Sequence, residues 1–166
     1  MTERTLFLKQ IIEQNPGIQF RQIMRHSGLK NGVLSHYLGK LEKQGIIKVI
    51  RGPRQTRFYP PQTTEEESNV IKALRRQTPR DLLLALISED GLEFNQLVNA
   101  VGKSPSTVSL YLSQIVSDGL VDIRLENLKK RYYIKVRHLI DKLIEDNNPN
   151  AIEKPTSGFE DIFNSF

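Results

Sequence analysis

The sequence predicts a mainly helical protein with small β-hairpins, an α+β fold built of two similar units in tandem. Three observations carry that prediction. Apolar residues recur at helical spacing through several short segments, as Leu34, Leu38 and Leu41 do at i, i+4 and i+7. In each half, such segments are followed by two short β-rich runs around a turn, in the first half IIKVI, RGPRQT and RFYP. Finally, Leu8–Tyr59 aligns without a gap on Leu82–Tyr133, an offset of 74 residues. Identical pairs include Leu8/Leu82, Gly17/Gly91, Phe20/Phe94, Gln22/Gln96, Gly28/Gly102, Ser35/Ser109, Tyr37/Tyr111, Leu38/Leu112, Gly45/Gly119, Arg57/Arg131 and Tyr59/Tyr133. Turn glycines and hairpin tyrosines in register mark a repeat rather than chance similarity.

Composition bounds the function. The 166 residues carry 24 Lys and Arg against 19 Asp and Glu, a net charge of +5, which favours an anionic partner. Cysteine is absent, so disulfides, thiol chemistry and Cys-ligated metals are excluded. No apolar run approaches the ~20 residues of a membrane span, and the N-terminus lacks a signal-peptide pattern. A soluble protein, cytoplasmic and nucleoid-associated, is the expectation.

The first unit is expected over residues 1–61. Leu6–Gln14 reads as a helix with Leu8, Ile11 and Ile12 inward, ended by Asn15-Pro16-Gly17. Phe20–Ser27 is a second short helix with Phe20, Ile23 and Met24 inward, and Gly28 turns the chain. Between Gly28 and Gly45 runs a third helix, its apolar stripe at Leu34, Leu38 and Leu41 flanked by Val33 and Tyr37. Its other face is small, polar or basic: Asn31, Gly32, Ser35, His36 and Lys40. Ile46–Ile50 and Arg57–Pro60 then read as strands around the basic turn Arg51–Thr56. Helix, turn, helix, hairpin is the order of a winged helix-turn-helix, whose second helix fits the ~12 Å DNA major groove.

The segment GVLSHYLGKLEKQGIIKVIRGPRQTRFYP resembles the core of MarR/ArsR-type winged-helix regulators, particularly small archaeal ones. In those families a stretch like TVSHHL..L...G.I runs through the recognition helix into the wing, and the resemblance covers nearly all of residues 5–60. It implies a DNA-binding transcriptional regulator.

Residues 62–79 read as a linker. Thr64-Glu65-Glu66-Glu67 is a capping box opening a helix to about Arg76, with Val70, Ile71 and Leu74 apolar. Such a helix, packed between the domains, would fix their orientation. Thr78-Pro79-Arg80-Asp81 is expected to cap the next helix, with Pro at its first position. The second unit, 80–146, follows with a helix carrying Leu82, Leu83, Leu86 and Ile87, then Phe94–Val101. Ser104-Pro105-Ser106-Thr107 next caps a recognition-like helix. Leu120–Leu125 and Arg131–Val136 are its wing strands, with Asn127–Lys130 between them. Arg137–Asp146 closes the unit with an apolar seam of Leu139, Ile140, Leu143 and Ile144, which serves either a homodimer or packing onto its own domain. The tail, 147–166, is polar; its Phe159, Ile162, Phe163 and Phe166 suit either a frayed end or a short motif in Phe159–Phe166 that folds on a protein partner.

Charge divides the work. Residues 1–61 hold 11 basic and 3 acidic residues, net +8, whereas 80–146 hold 9 and 10, net −1. Phosphate neutralisation supplies most non-specific affinity, so the first unit is the expected principal reader of double-stranded DNA. Asn31, Ser35 and His36 are assigned to base edges and nearby phosphates, with Gly32 on the same face; Asn to adenine is a familiar bidentate pair. The related families present a base-reading side chain where His36 stands. Lys30, Lys40, Arg21 and Arg25 are candidate phosphate contacts, equally readable as surface charge. Arg54, after Gly52-Pro53, is placed for the minor groove, with Arg51 and Arg57 at the hairpin base. Arg57 also reads as structural, because it recurs as Arg131. In the second unit Ser106, Thr107, Ser109, Lys129 and Lys130 could meet a second site or only backbone. Asp118, Asp122 and Glu126 oppose tight approach there.

His26, His36 and His138 are scattered, with no carboxylates at metal spacing, so the metal-sensing activity of the ArsR branch is not carried over. No cofactor is expected. No phosphate loop, nucleophile elbow or carboxylate pair points to an enzyme. The alternative to a regulator is a tandem winged-helix protein-interaction scaffold of the chromosome-condensation or general-transcription type. Such a scaffold needs no basic wing.

Overall fold

The computed structural model describes residues 1–147, which form two compact units, Met1–Ser68 and the residues from Asn69 onward. The expected tail, including Phe159–Phe166, lies outside the described residues.

In the first unit α1 spans Glu3–Gln14, three residues more than its apolar periodicity suggested. The cap sets the start: Thr2 Oγ1 accepts from the Thr5 amide at 3.3 Å. After Gly17 come β1 (Ile18–Gln19), α2 (Phe20–Ser27) and α3 (Asn31–Lys43). Gly28, at φ +68°, ends α2 by donating to Met24 O at 3.0 Å, a left-handed cap that favours glycine. The hairpin β2 (Lys48–Arg51) and β3 (Thr56–Tyr59) pairs with β1 to give a three-stranded antiparallel sheet in the order β1-β3-β2. Leu8, Ile12, Ile23, Leu34 and Leu41 are sealed beneath this sheet's Phe58 and beside Ile47. Ile46 and Ile47 were expected in the first strand; instead they lead into it, and Ile47 joins the core. At about 25 cal/mol per Å² of apolar surface removed from water, such a core is the principal stabiliser of so small a unit.

The linker residues form α4 (Glu65–Leu74), and its capping box is complete. Thr64 Oγ1 accepts from the Glu67 amide at 3.1 Å, and Glu67 Oε2 accepts from the Thr64 amide at 2.9 Å. Next, α5 begins earlier than expected, spanning Gln77–Ser88 with Arg76 at its N-cap. Thr78 and Pro79 therefore lie inside its first turn and are buried. Proline is tolerated there because the amides of the first turn have no intrahelical partner to lose.

The second unit repeats the first. Shifting α1, β1, α2 and α3 by 74 residues reproduces the bounds of α5, β4 (Leu92–Glu93), α6 (Phe94–Val101) and α7 (Pro105–Ser117). The sheet register repeats as well, Ile18 opposite Phe58 and Leu92 opposite Tyr132. The wings differ. Strands β5 (Val121–Glu126) and β6 (Lys129–Ile134) are each two residues longer than their counterparts and close in a two-residue turn. Asn127 and Leu128 both hold positive φ there, 51° and 65°, as a tight hairpin turn requires. The expected loop Asn127–Lys130 thus shrinks to two residues, and Lys129 and Lys130 become strand residues. Finally, α8 (Arg137–Asn147) buries Leu139, Ile140 and Leu143 within the chain itself. That favours packing over the dimer seam. No described helix is long and apolar enough to cross a membrane.

Candidate nucleic-acid interface

Helix α3 sorts its residues as an interface helix must. Leu34, Leu38 and Leu41 are buried, while Asn31, Gly32, Ser35, His36 and Lys40 are all exposed. Ser35 Oγ donates to Asn31 Oδ1 at 3.3 Å, so these two polar groups act as one pair on the outward face. The His36 ring sits edge-on to Tyr37, with centroids 5.4 Å apart. Gly32 has open space where a Cβ would stand. Nothing inside the fold requires glycine there. Lys30, at the N-cap, makes no side-chain capping bond, so the first amides of α3 and its positive dipole end stay available to an anion. Arg21 and Arg25 are exposed on α2.

The wing stands beside this helix. Arg54 is exposed in the turn that Gly52 closes by donating to Gln55 O at 2.8 Å. Arg51 is not a free phosphate contact: its two terminal nitrogens each donate to a Glu42 carboxylate oxygen at 2.7 Å, tying β2 to the C-terminal half of α3. Those hydrogen bonds hold the Glu42 carboxyl below its ordinary range and push Arg51 up. Arg57 is corrected outright as a DNA contact. It is only 6% exposed, and its guanidinium donates to Gly17 O and to Gln55 Oε1, both at 2.8 Å. Arg131 repeats the device, donating to Gly91 O at 2.8 Å. The recurrence of Arg57 and Arg131 thus belongs to the fold, each arginine stapling its last strand to the glycine turn before the first.

Repeat-related positions in the second unit carry different chemistry. His36 is matched by Leu110, Arg51 by Leu125 and Arg54 by Leu128, which are 57%, 69% and 93% exposed. Ser109 is exposed on α7, but Ser106 and Thr107 belong to the helix cap. Ser104 Oγ accepts from the Thr107 amide at 3.3 Å, donates to Thr107 Oγ1 at 2.9 Å and lies 3.2 Å from Ser106 Oγ. Register separates the charges of this wing. Ile123 opposes Tyr132 and Leu125 opposes Lys130 on the face toward α7. Asp122, Arg124, Glu126, Lys129 and Arg131 alternate onto the other face, where Lys129 pairs with Glu93 at 3.3 Å and Tyr133 donates to both Glu126 oxygens at 2.8 Å. Asp122 and Glu126 therefore do not obstruct the helix side of the wing. Lys129 is engaged, and Lys130 has no ion-pair partner among the described residues. Sequence reading missed Glu42 as the partner of Arg51; the acid is visible in the sequence, but the match needs the hairpin beside the helix.

Residues 10–48 match the profile of winged helix-turn-helix DNA-binding domains, and residues 70–122 match that of bacterial regulatory proteins of the arsR family. No curated protein sequence matches the chain. Among solved structures, HlyU from Vibrio cholerae N16961 is similar at 20% identity and a TM-score of 0.41, over 51% of this chain and 94% of that one. No group of three His, Cys, Asp or Glu side chains gathers at metal-binding distance among the described residues. Two profiles, one of winged helix-turn-helix DNA-binding domains and one of arsR-family regulatory proteins, thus fall in succession on two units of matching architecture, and the fold is that of winged helix-turn-helix units in tandem.

Proposed function

We propose that the protein is a sequence-specific transcription regulator whose first unit reads double-stranded DNA, with α3 in the major groove and the Arg54 turn at the minor groove. The observation that carries this reading is the sorting of α3: every polar or small candidate residue is exposed and every leucine buried, in a unit of net charge +8. Asn31, Ser35 and His36 have donors and acceptors to offer base edges. Lys30, Lys40, Arg21 and Arg25 supply phosphate contacts, and Arg51 serves to position the wing. In the second unit Ser109 and Lys130 remain candidates for backbone contact. A homodimer would need surface other than the buried part of the α8 seam.

The test is fluorescence anisotropy with genomic fragments, titrated with salt. Specific binding with a steep log–log salt dependence supports the reading, and undetectable binding at low salt overturns it. The scaffold reading draws on one specific observation, the leucines that replace basic and polar positions on the second unit. It predicts binding to protein and none to DNA.

A further inference from the structure

The outer strands of the two wings offer different edges to a neighbouring chain. In the first unit β2 is four residues long and carries Lys48 and Arg51 with no acid, a short basic edge of the kind that keeps strands apart. The repeat exchanges Lys48, Val49, Ile50 and Arg51 for Asp122, Ile123, Arg124 and Leu125, within the six-residue β5. Among the described residues β5 pairs with β6 alone, so its other edge is open. Because the turn has two residues, Glu126 and Lys129 form a hydrogen-bonded pair. Alternation then points the amides and carbonyls of Asp122, Arg124 and Glu126 toward β6, and those of Ile123 and Leu125 toward the open edge. The Ile123 amide accordingly donates to the Asp122 carboxylate at 3.1 Å rather than across the sheet. Ile123 and Leu125 are 42% and 69% exposed, whereas Val121 at the base of the strand is sealed. An edge this apolar and this open is a template for another strand.

We propose that β5 pairs antiparallel with β5 of a second copy of the chain, joining the two three-stranded sheets of the second units into one. The contact is isologous, each copy offering the same edge about a two-fold axis. Edge-facing groups must meet edge-facing groups, which leaves Ile123, Arg124 or Leu125 on the axis. Arg124 on the axis would set arginine against arginine and Asp122 against Glu126, like charges throughout. Ile123 on the axis would set Leu125 against the sealed Val121. Leu125 on the axis avoids both. Arg124 then lies opposite Glu126 of the second copy, twice by symmetry, so the charges are complementary. The two Leu125 side chains meet on the face toward α7, with Ile123 on their diagonals. Leu128, 93% exposed at the turn, comes level with Asp122 and Ile123 of the second copy. It there meets the mouth of an apolar groove of about 280 Å³, lined by Phe94, Leu112, Val116, Ile123 and Tyr132. This pairing supplies the dimer surface that α8 does not. Resting on the proposed DNA reading, it also gives one particle two reading units, as two half-sites require.

The measurement needs no DNA, so its failure and that of the DNA reading are separable. The full chain is followed by sedimentation velocity over a concentration series, and a monomer–dimer equilibrium is expected. Arg124→Glu sets like charges opposite one another and should raise the dimer dissociation constant at least about tenfold. Adding Glu126→Arg restores opposite charges and should return the constant to within about threefold of its starting value. Both side chains are exposed, so the thermal midpoint should hold in each variant. The chain has no cysteine, so a single thiol can be introduced without background. Opposed residues of a hydrogen-bonded pair lie about 5.5 Å apart at Cα, within disulfide reach, whereas the two copies of residue 128 fall roughly 20 Å apart. Under mild oxidation Leu125→Cys should therefore form a disulfide dimer faster than Leu128→Cys, the reverse of the order that exposure alone would set. A monomer at every concentration, a charge reversal that the second change does not rescue, or faster cross-linking of Leu128→Cys would each overturn the proposal.

Discussion

Two arginines three positions apart, Arg54 in the turn of the first hairpin and Arg57 on β3, illustrate how much a single side chain's surroundings decide. Arg57→Ala removes the staple to Gly17 O and leaves a buried acceptor without its donor, a loss of about 1–3 kcal/mol. Arg51 is spent on Glu42, and Arg54, three residues further along, is exposed in the turn. Arg54→Ala should leave the thermal midpoint within about 1 °C, since surface substitutions are usually near neutral. Its DNA salt slope should fall by roughly one unit, the signature of one lost phosphate or minor-groove contact. Salt-dependent anisotropy beside thermal unfolding separates the two arginines; a flattened slope from Arg57→Ala with unchanged stability would reverse their roles. Gly32 tests the interface from the opposite direction. A Cβ there meets nothing within 4 Å, so Gly32→Ala should stabilise the unit by a few tenths to about 1 kcal/mol. If α3 lies against DNA, the same methyl should weaken binding. Gain of stability with unchanged affinity would take residue 32 out of the interface.

At the scale of the element, legibility followed periodicity. α2 and the apolar face of α3 could be read because leucine and isoleucine spacing reports burial directly. The starts of α1 and α5 could not, because each is set beyond the apolar stripe, at Thr2 and at Arg76. The strands β1 and β4 have two residues each, too few for alternation to register, yet they complete both sheets. Which face of a wing carries Asp122 or Lys130 depends on register, and register came from a turn whose length differs between the repeats. The Arg57 staple was half visible, since its recurrence as Arg131 signalled structure but a free guanidinium and a buried one read alike. The helix–wing clamp yields a prediction at this scale. Glu42→Gln removes a negative charge from the last turn of α3 and loosens its hold on Arg51, so DNA affinity should rise and the salt slope steepen by up to about one unit. The pair is solvent-exposed and contributes little to stability. Its sign with pH is fixed: with the Glu42 pKa lowered, the pair is present above the ordinary carboxylate range and is lost as pH falls through the lowered value. Affinity that drops in Glu42→Gln at neutral pH would show that a fixed wing matters more to binding than a free Arg51.

Across the whole molecule, one architecture appears twice with opposite surfaces. The offset of 74 residues preserves buried leucines, turn glycines and stapling arginines, and it exchanges His36 for Leu110, Arg51 for Leu125 and Arg54 for Leu128. Core chemistry is held while the outward chemistry diverges, so the division of labour can be tested by treating the two recognition helices alike. His36 and Leu110 are both exposed at the same position of their helices. His36→Ala should lower affinity for the preferred site by about 1–3 kcal/mol, the loss typical of one base contact, and leave non-specific binding nearly intact. Leu110→Ala removes no hydrogen-bonding group and should leave the ratio of specific to non-specific affinity unchanged. Competition between the preferred duplex and a scrambled one at fixed salt measures both ratios, and fixed salt matters because the shared electrostatic contribution then cancels. A greater loss of specificity from Leu110→Ala would move the reading helix to the second unit, against its near-neutral charge and its apolar face.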